Sequence, residues 1–175
     1  MKMWLLILFT FLSVFFISVH LTYAQSSYVL PYPGFMPGNK LYKLTEALDM
    51  LKKYYSFGDF AKYKYYQSLA DKKLVEAKIL FEYSQYPLAL KALDKSDEYF
   101  QKIPEVLKEA KKHDKNITEK EALFRQESLK HIEALTLLES QVPVEFTWRD
   151  EKKTPVHLQI KNLIEKALKI RKTFK

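Results

Sequence analysis

Beyond residue 40 the chain is written in steps of 3 and 4. Leu41, Leu44, Leu48, Leu51 and Tyr55 form one apolar stripe and predict a first helix from about Asn39 to Tyr55, with Asn39 as its N-cap. Ser56-Phe57-Gly58-Asp59 breaks the pattern, and Asp59 is placed to cap a second helix reaching about Tyr83. Its buried stripe reads Tyr63, Tyr66, Ala70, Leu74, Ala77 and Phe81, with two alanines that allow close helix approach. Pro87 opens a third helix at its first position, whose face runs Leu88, Ala92, Ser96, Tyr99, Ile103, Leu107 and Ala110. Pro104 either kinks this helix or starts another. After a polar connector, Thr118 to Glu121 reads as a capping box for a fourth helix carrying Phe124, Ile132, Leu135 and Leu138. Val142 to Lys153 is a loop, extended around Val144 to Trp148. Thr154-Pro155 then opens a last helix with Val156, Ile160, Leu163, Ala167, Ile170 and Phe174. Long helices joined this tightly pack antiparallel, so the fold class expected is all-α, a bundle of four to five helices.

The first 40 residues follow other rules. Lys2, the apolar run Met3 to Val19 and the small residues around Thr22-Tyr23-Ala24 have the form of a secretory signal peptide. An uncleaved anchor is the alternative, although the run falls slightly short of the roughly 20 apolar residues of a spanning helix. Residues 28–38 hold three prolines, which forbid a regular helix, and several aromatic and aliphatic side chains, which favour packing on the bundle. The expected division is 1–24 signal peptide, 25–38 Pro-rich lead and 39–175 helical bundle.

Charge and cysteine content narrow the function. The chain has 29 Lys and Arg against 21 Asp and Glu, a formal net charge of +8, and no cysteine. Thiolate metal sites, Cys nucleophiles and a lipid-modified amino terminus are thereby excluded. A basic chain points to nucleic acid, but export redirects that charge toward anionic headgroups or cell-wall polymers. All three glycines precede residue 59, so prolines must punctuate the rest.

Two segments resemble a domain family of unknown function found in small exported helical proteins of bacteria. Tyr32-Pro33-Gly34-Phe35-Met36-Pro37-Gly38-Asn39-Lys40-Leu41-Tyr42 is similar to that family's YPG-x-LPD-x-PLY lead. Leu69-Ala70-Asp71-Lys72-Lys73-Leu74 is similar to its LADKRL helix. The chain departs from the pattern at Gly38, Lys40 and Lys73. The resemblance implies an exported helical bundle and supplies no activity, cofactor or catalytic residue. The motif residues are Tyr32, Pro33, Gly34, Pro37, Leu41, Tyr42, Ala70, Asp71, Lys72 and Leu74. Pro33 and Pro37 stiffen the lead, Gly34 permits a turn, and Asp71 is placed to contact the lead or the first helix.

Candidate chemistry is sparse. His113, His131 and His157 fall in different elements, and Glu127 and His131, four apart, read as a surface contact rather than metal ligands. Asp94, Asp97 and Glu98 interleave with lysines as on a solvated face. Neither a catalytic constellation nor a cofactor or metal site is expected. The run from Lys52 to Tyr66 is the most distinctive surface candidate. Its aromatics Tyr55, Phe57, Phe60, Tyr63 and Tyr66 are expected to fill the first hairpin with lysines outside, and the alternative is a sugar or anionic-polymer site. The candidate interaction residues are Lys52, Lys53, Tyr54, Lys62 and Tyr65, with Lys169, Arg171 and Lys172 of the last helix. The function expected is a structural or interaction role at the cell envelope, partnered by another envelope protein or an anionic surface. A membrane is expected only if the leader helix is retained. A small-molecule or metal carrier using the bundle interior is one alternative; a tetratricopeptide-like scaffold built on Leu74 to Ile103 is another.

Overall fold

The computed structural model of the protein describes residues 26–149 and 154–174. The predicted signal peptide lies outside the described residues. Five helices appear among them: α1 Tyr42–Tyr55, α2 Asp59–Glu82, α3 Tyr86–Lys112, α4 Thr118–Gln141 and α5 Ile160–Lys172. The fold is all-α, with α2 and α3 forming the most extensive pair and α4 and α5 closing over them. A short antiparallel hairpin, β1 Phe146–Trp148 with β2 Val156–Leu158, joins α4 to α5.

The hairpin corrects the sequence reading of the last helix. Thr154-Pro155 opens a strand there, and Val156 pairs with Trp148 instead of lying on a helix. Only Leu158 of this strand is partly buried, Val156 and His157 being exposed, and Pro155 is tolerated just outside the ladder.

Three predicted caps are also displaced. Asn39 takes the Leu41 N–H at 2.8 Å and starts a turn, so α1 begins three residues later. Asn116, not Thr118, supplies the acceptor before α4, receiving Thr118 N–H at 3.1 Å. Asp59 is the first residue of α2, and its carboxylate reaches to His113 at 2.8 Å and Lys115 at 2.9 Å. Pro104 lies inside one continuous α3.

The ends of α2 and α3 explain how the chain turns without glycine. Ser84 and Asp114 adopt positive φ, at 57° and 55°. After α2, Gln85 N–H bonds to Leu80 and Ser84 N–H to Phe81; after α3, Lys115 bonds to Ala110 and Asp114 to Lys111. Both are Schellman closures with a polar residue in the left-handed position.

The core forms two apolar layers. One holds Leu74, Ala77, Phe81, Ala89, Leu93, Leu135, Ile160 and Ile164; the other holds Tyr63, Ala70, Phe100, Ile103, Leu107, Ile117 and Phe124. On each of the four core helices a polar residue falls where the stripe passes from one layer to the other: Asp71 on α2, Ser96 and Asp97 on α3, Glu127, Ser128 and His131 on α4, and Arg171 on α5. The lead packs against the bundle as expected. Leu30 and Met36 cover the first layer, and Ser26 Oγ–H bonds to the Gln126 carbonyl at 2.7 Å.

Candidate functional site

The polar layer is built around Asp71, Glu127, His131 and Arg171, all buried. Arg171 is fully enclosed and donates to Asp97 through Nη1, to Ser96 Oγ at 2.9 Å through Nη2, and to the Ala167 carbonyl at 3.2 Å. Its guanidinium lies over the Phe100 ring at 4.9 Å. Ser96 donates its own hydroxyl to the Ala70 carbonyl at 2.8 Å, and Ser128 donates to the Arg171 carbonyl at 2.7 Å. Arg171 Nε–H also points at His131 Nδ1, at 3.4 Å. That donor makes Nδ1 the acceptor, so the imidazole carries its proton on Nε2 and donates to Asp71 Oδ1 at 2.7 Å.

The two carboxylates of the layer are held alike. Asp71 Oδ2 accepts the Tyr28 hydroxyl at 2.6 Å, and Glu127 Oε2 accepts Gln67 Nε2–H at 3.0 Å. Their inner oxygens turn toward His131. Asp71 Oδ1 is bonded, whereas Glu127 Oε1 stands 4.0 Å from Nε2 and is the one buried side-chain polar atom without a hydrogen-bond partner among the described residues. Burial, then the Asp71 charge, pushes the Glu127 carboxyl well above its usual range. Burial holds the His131 imidazole below its ordinary value against the opposing bond from Asp71. Burial and the charges of Glu127 and Asp71 raise the Tyr28 phenol far above its normal value.

Several sequence expectations are overturned at this layer. Glu127 and His131 are interior, not a surface contact, and Asp97 is buried while Asp94 and Glu98 face solvent. Arg171 and Tyr65, expected on an interaction surface, are buried because each sits on the inward stripe of its helix. Lys52, Lys53, Tyr54, Lys62, Lys169 and Lys172 are exposed.

The motif residues act as fasteners. Asp71 ties the lead through Tyr28, and its neighbour Lys72 ties α1 through Asp49. Tyr42 accepts from Lys73 at 3.0 Å and donates to Glu76 at 2.7 Å, while Lys73 bridges Glu76 at 2.7 Å and Glu46 at 3.3 Å. Ala70 and Leu74 fill the core, Gly34 passes beside Lys72, and Tyr32 is exposed. The expected contact between Asp71 and the lead is present as a hydrogen bond.

A sequence profile described as a domain of unknown function, DUF5667, matches residues 34–145. The chain belongs to the DUF5667 family. No curated protein and no solved structure matches it. The matched span carries Asp71, Asp97, Glu127 and His131, whereas Tyr28 and Arg171 come from outside it.

The surface of this DUF5667 protein has one inversion. An apolar stripe at helical spacing ordinarily faces the core. On α1 and at its two ends it faces out: Leu41, Leu44, Leu48 and Leu51 are each about half exposed, and Met50, Tyr54, Tyr55 and Phe57 more so. Asp49 is the only buried residue of α1, which docks on α2 through Tyr42, Glu46 and Asp49. Tyr55 and Phe57 therefore do not fill the first hairpin, because the polar side of the helix occupies that interface. Lys40, Lys43, Lys52 and Lys53 are exposed on and beside the same helix. No helix among the described residues is long and apolar enough to cross a membrane.

Proposed function

We propose that this protein is exported and works at the bacterial cell envelope as a peripheral module, resting on an anionic membrane surface through α1. The observation that carries the reading is the outward stripe of α1 with its lysines. Such a helix suits the interface between headgroups and acyl chains, apolar side down and cations at headgroup level. Each half-exposed leucine contributes about 1 kcal/mol on burial, and each lysine near an anionic leaflet about 1 kcal/mol. The net charge of +8 acts in the same direction. The leader-like first 24 residues support the location. The interior, with its ion pairs and packed aromatics, acts as a rigid platform that presents α1.

The test is co-sedimentation of the chain starting at Gln25 with vesicles of phosphatidylglycerol or of phosphatidylcholine. Binding is expected to the anionic vesicles and to fall at least about tenfold in Leu44→Ser/Leu48→Ser, a loss of about 1.4 kcal/mol or more. Both positions are exposed, so the variant keeps its fold. Equal binding by the variant, or no binding by the parent chain, overturns the reading. So does a dimer in solution that the same variant dissociates, which would make the stripe a protein interface.

A further inference from the structure

We propose that Asp71, Glu127 and His131 form a binding site for one divalent first-row transition-metal ion inside the bundle. The three residues converge from two helices, with Glu127 and His131 one turn apart on α4 and Asp71 facing them from α2. One donor atom from each lies within 4.8 Å of the other two. Bonds of about 2.0–2.2 Å around a tetrahedral ion separate neighbouring donors by about 3.3 Å. The observed 2.7 Å from Nε2 to Asp71 Oδ1 and 4.0 Å from Nε2 to Glu127 Oε1 bracket that value.

Two further features point to a ligand. Glu127 Oε1 is completely buried and unpartnered, aimed at the space it shares with Nε2. A buried, unpartnered carboxylate oxygen costs the fold free energy unless something binds it. The outer oxygens, in contrast, are both engaged, Asp71 Oδ2 by Tyr28 and Glu127 Oε2 by Gln67. Fixing the far oxygen of each carboxylate by a neutral donor is the usual outer support of a metal ligand. It leaves Glu127 Oε1 free and Asp71 Oδ1 held only by His131 Nε2–H, the bond an ion would replace.

The charges and protons balance. Two carboxylates neutralise a divalent ion, and Arg171 is already paired with Asp97. Binding displaces any proton on Glu127 to solvent and shifts the imidazole proton from Nε2 to Nδ1, so that Nε2 faces the ion. That shift makes Nδ1 a donor opposite Arg171 Nε–H, so the 3.4 Å contact, the longest bond in the layer, breaks and the two groups must move apart. Arg171 keeps Asp97, Ser96 and the Ala167 carbonyl. One imidazole with two carboxylates suits zinc, manganese or ferrous iron, and in the absence of thiolate it disfavours copper(I).

The full chain, stripped with EDTA, is dialysed against Zn²⁺ and separately Mn²⁺, and followed by metal analysis and thermal unfolding. Retention of about one ion per chain and a rise in Tm are expected for at least one of the two. Glu127→Gln keeps the side chain's shape and its bond to Gln67; it is expected to weaken binding at least about 100-fold and abolish the Tm rise while remaining helical. His131→Gln provides a second test, and His113→Ala, an exposed histidine outside the layer, is expected to bind as the parent does. No retained ion in the parent protein, or an unchanged ion count and Tm rise in folded Glu127→Gln, overturns the proposal.

Discussion

Replacing Arg171 by Met is the most informative single perturbation of the interior. Arg171 is enclosed on α5 and Asp97 is nearly so on α3, so removing the guanidinium leaves a carboxylate without its counter-ion. Breaking one side of a buried pair costs about 3–5 kcal/mol, a large part of the roughly 5–15 kcal/mol that holds a domain of this size. Asp97→Leu strands the cation instead and is expected to cost a similar amount. The double variant Arg171→Met/Asp97→Leu has no stranded charge. Ser96 still bonds to the Ala70 carbonyl, and the remaining losses are the donors to His131 Nδ1, Ser96 Oγ and the Ala167 carbonyl. Its expected cost is about 1–3 kcal/mol, far below the roughly 6–10 kcal/mol of additive singles. Urea unfolding followed by circular dichroism measures all four proteins. A pH series adds an independent check. Burial already pushes Asp97 above the ordinary aspartate range against the pull of Arg171. A raised folded-state pKa stabilises below the unfolded value and loses that contribution as pH rises. Arg171→Met should therefore be less destabilised at about pH 5 than at about pH 8, with a slope of up to about 1.4 kcal/mol per unit. A double variant as unstable as the sum of the singles would refute the argument.

Tyr28→Phe removes the hydroxyl that ties the lead to Asp71 at 2.6 Å. The expected loss is about 1–2 kcal/mol by urea unfolding, with faster proteolysis confined to the lead; equal protease resistance would count against the tie. Burial raises Asp49 and Glu46, but contacts with Lys72 and Lys52, and with Lys73, outweigh it and hold both carboxyls below their ordinary ranges. Lowered values stabilise above the unfolded pKa and lose that contribution as pH falls, so α1 should loosen below about pH 4 while α2–α4 stay protected; amide exchange would show α1 opening by about tenfold more. Ser84→Gly relieves a positive φ of 57° and should raise stability by about 0.5–1 kcal/mol in thermal unfolding, whereas a drop would contradict the closure described after α2.

The periodicity of α2, α3 and α4 was legible because their stripes run unbroken over many turns. Tyr63, Ala70, Leu74, Ala77 and Phe81 are buried as their spacing requires. Period alone does not say which side of a helix faces the core, and α1 shows this: its leucines are periodic and exposed, because Tyr42, Glu46 and Asp49 match lysines on α2 and the leucines match nothing there. The polar layer was missed for a related reason. Phe124, Ser128, His131, Leu135 and Leu138 fall at steps of 4, 3, 4 and 3, so Ser128 and His131 occupy core positions in the stripe itself. Arg171 continues Ile164, Ala167 and Leu168 in the same way. A polar residue in register with an apolar stripe was the available signal, and pairing those residues across four helices required the fold. The three-residue strands were too short for alternation to outweigh Thr154-Pro155 as a helix start.

The position of Arg171 has a consequence for the order in which this molecule can be completed. Its partners Asp97 and Ser96 lie 74 and 75 residues earlier in the chain. When the polypeptide emerges amino end first, from a ribosome or through a pore, α2, α3 and α4 come out with Asp97 still awaiting its counter-ion. Those helices can form, but their shared interior cannot dry out around a lone carboxylate. Final closure waits for the last helix. A domain whose buried counter-ion is carried on its fifth helix stays pliable until that helix arrives.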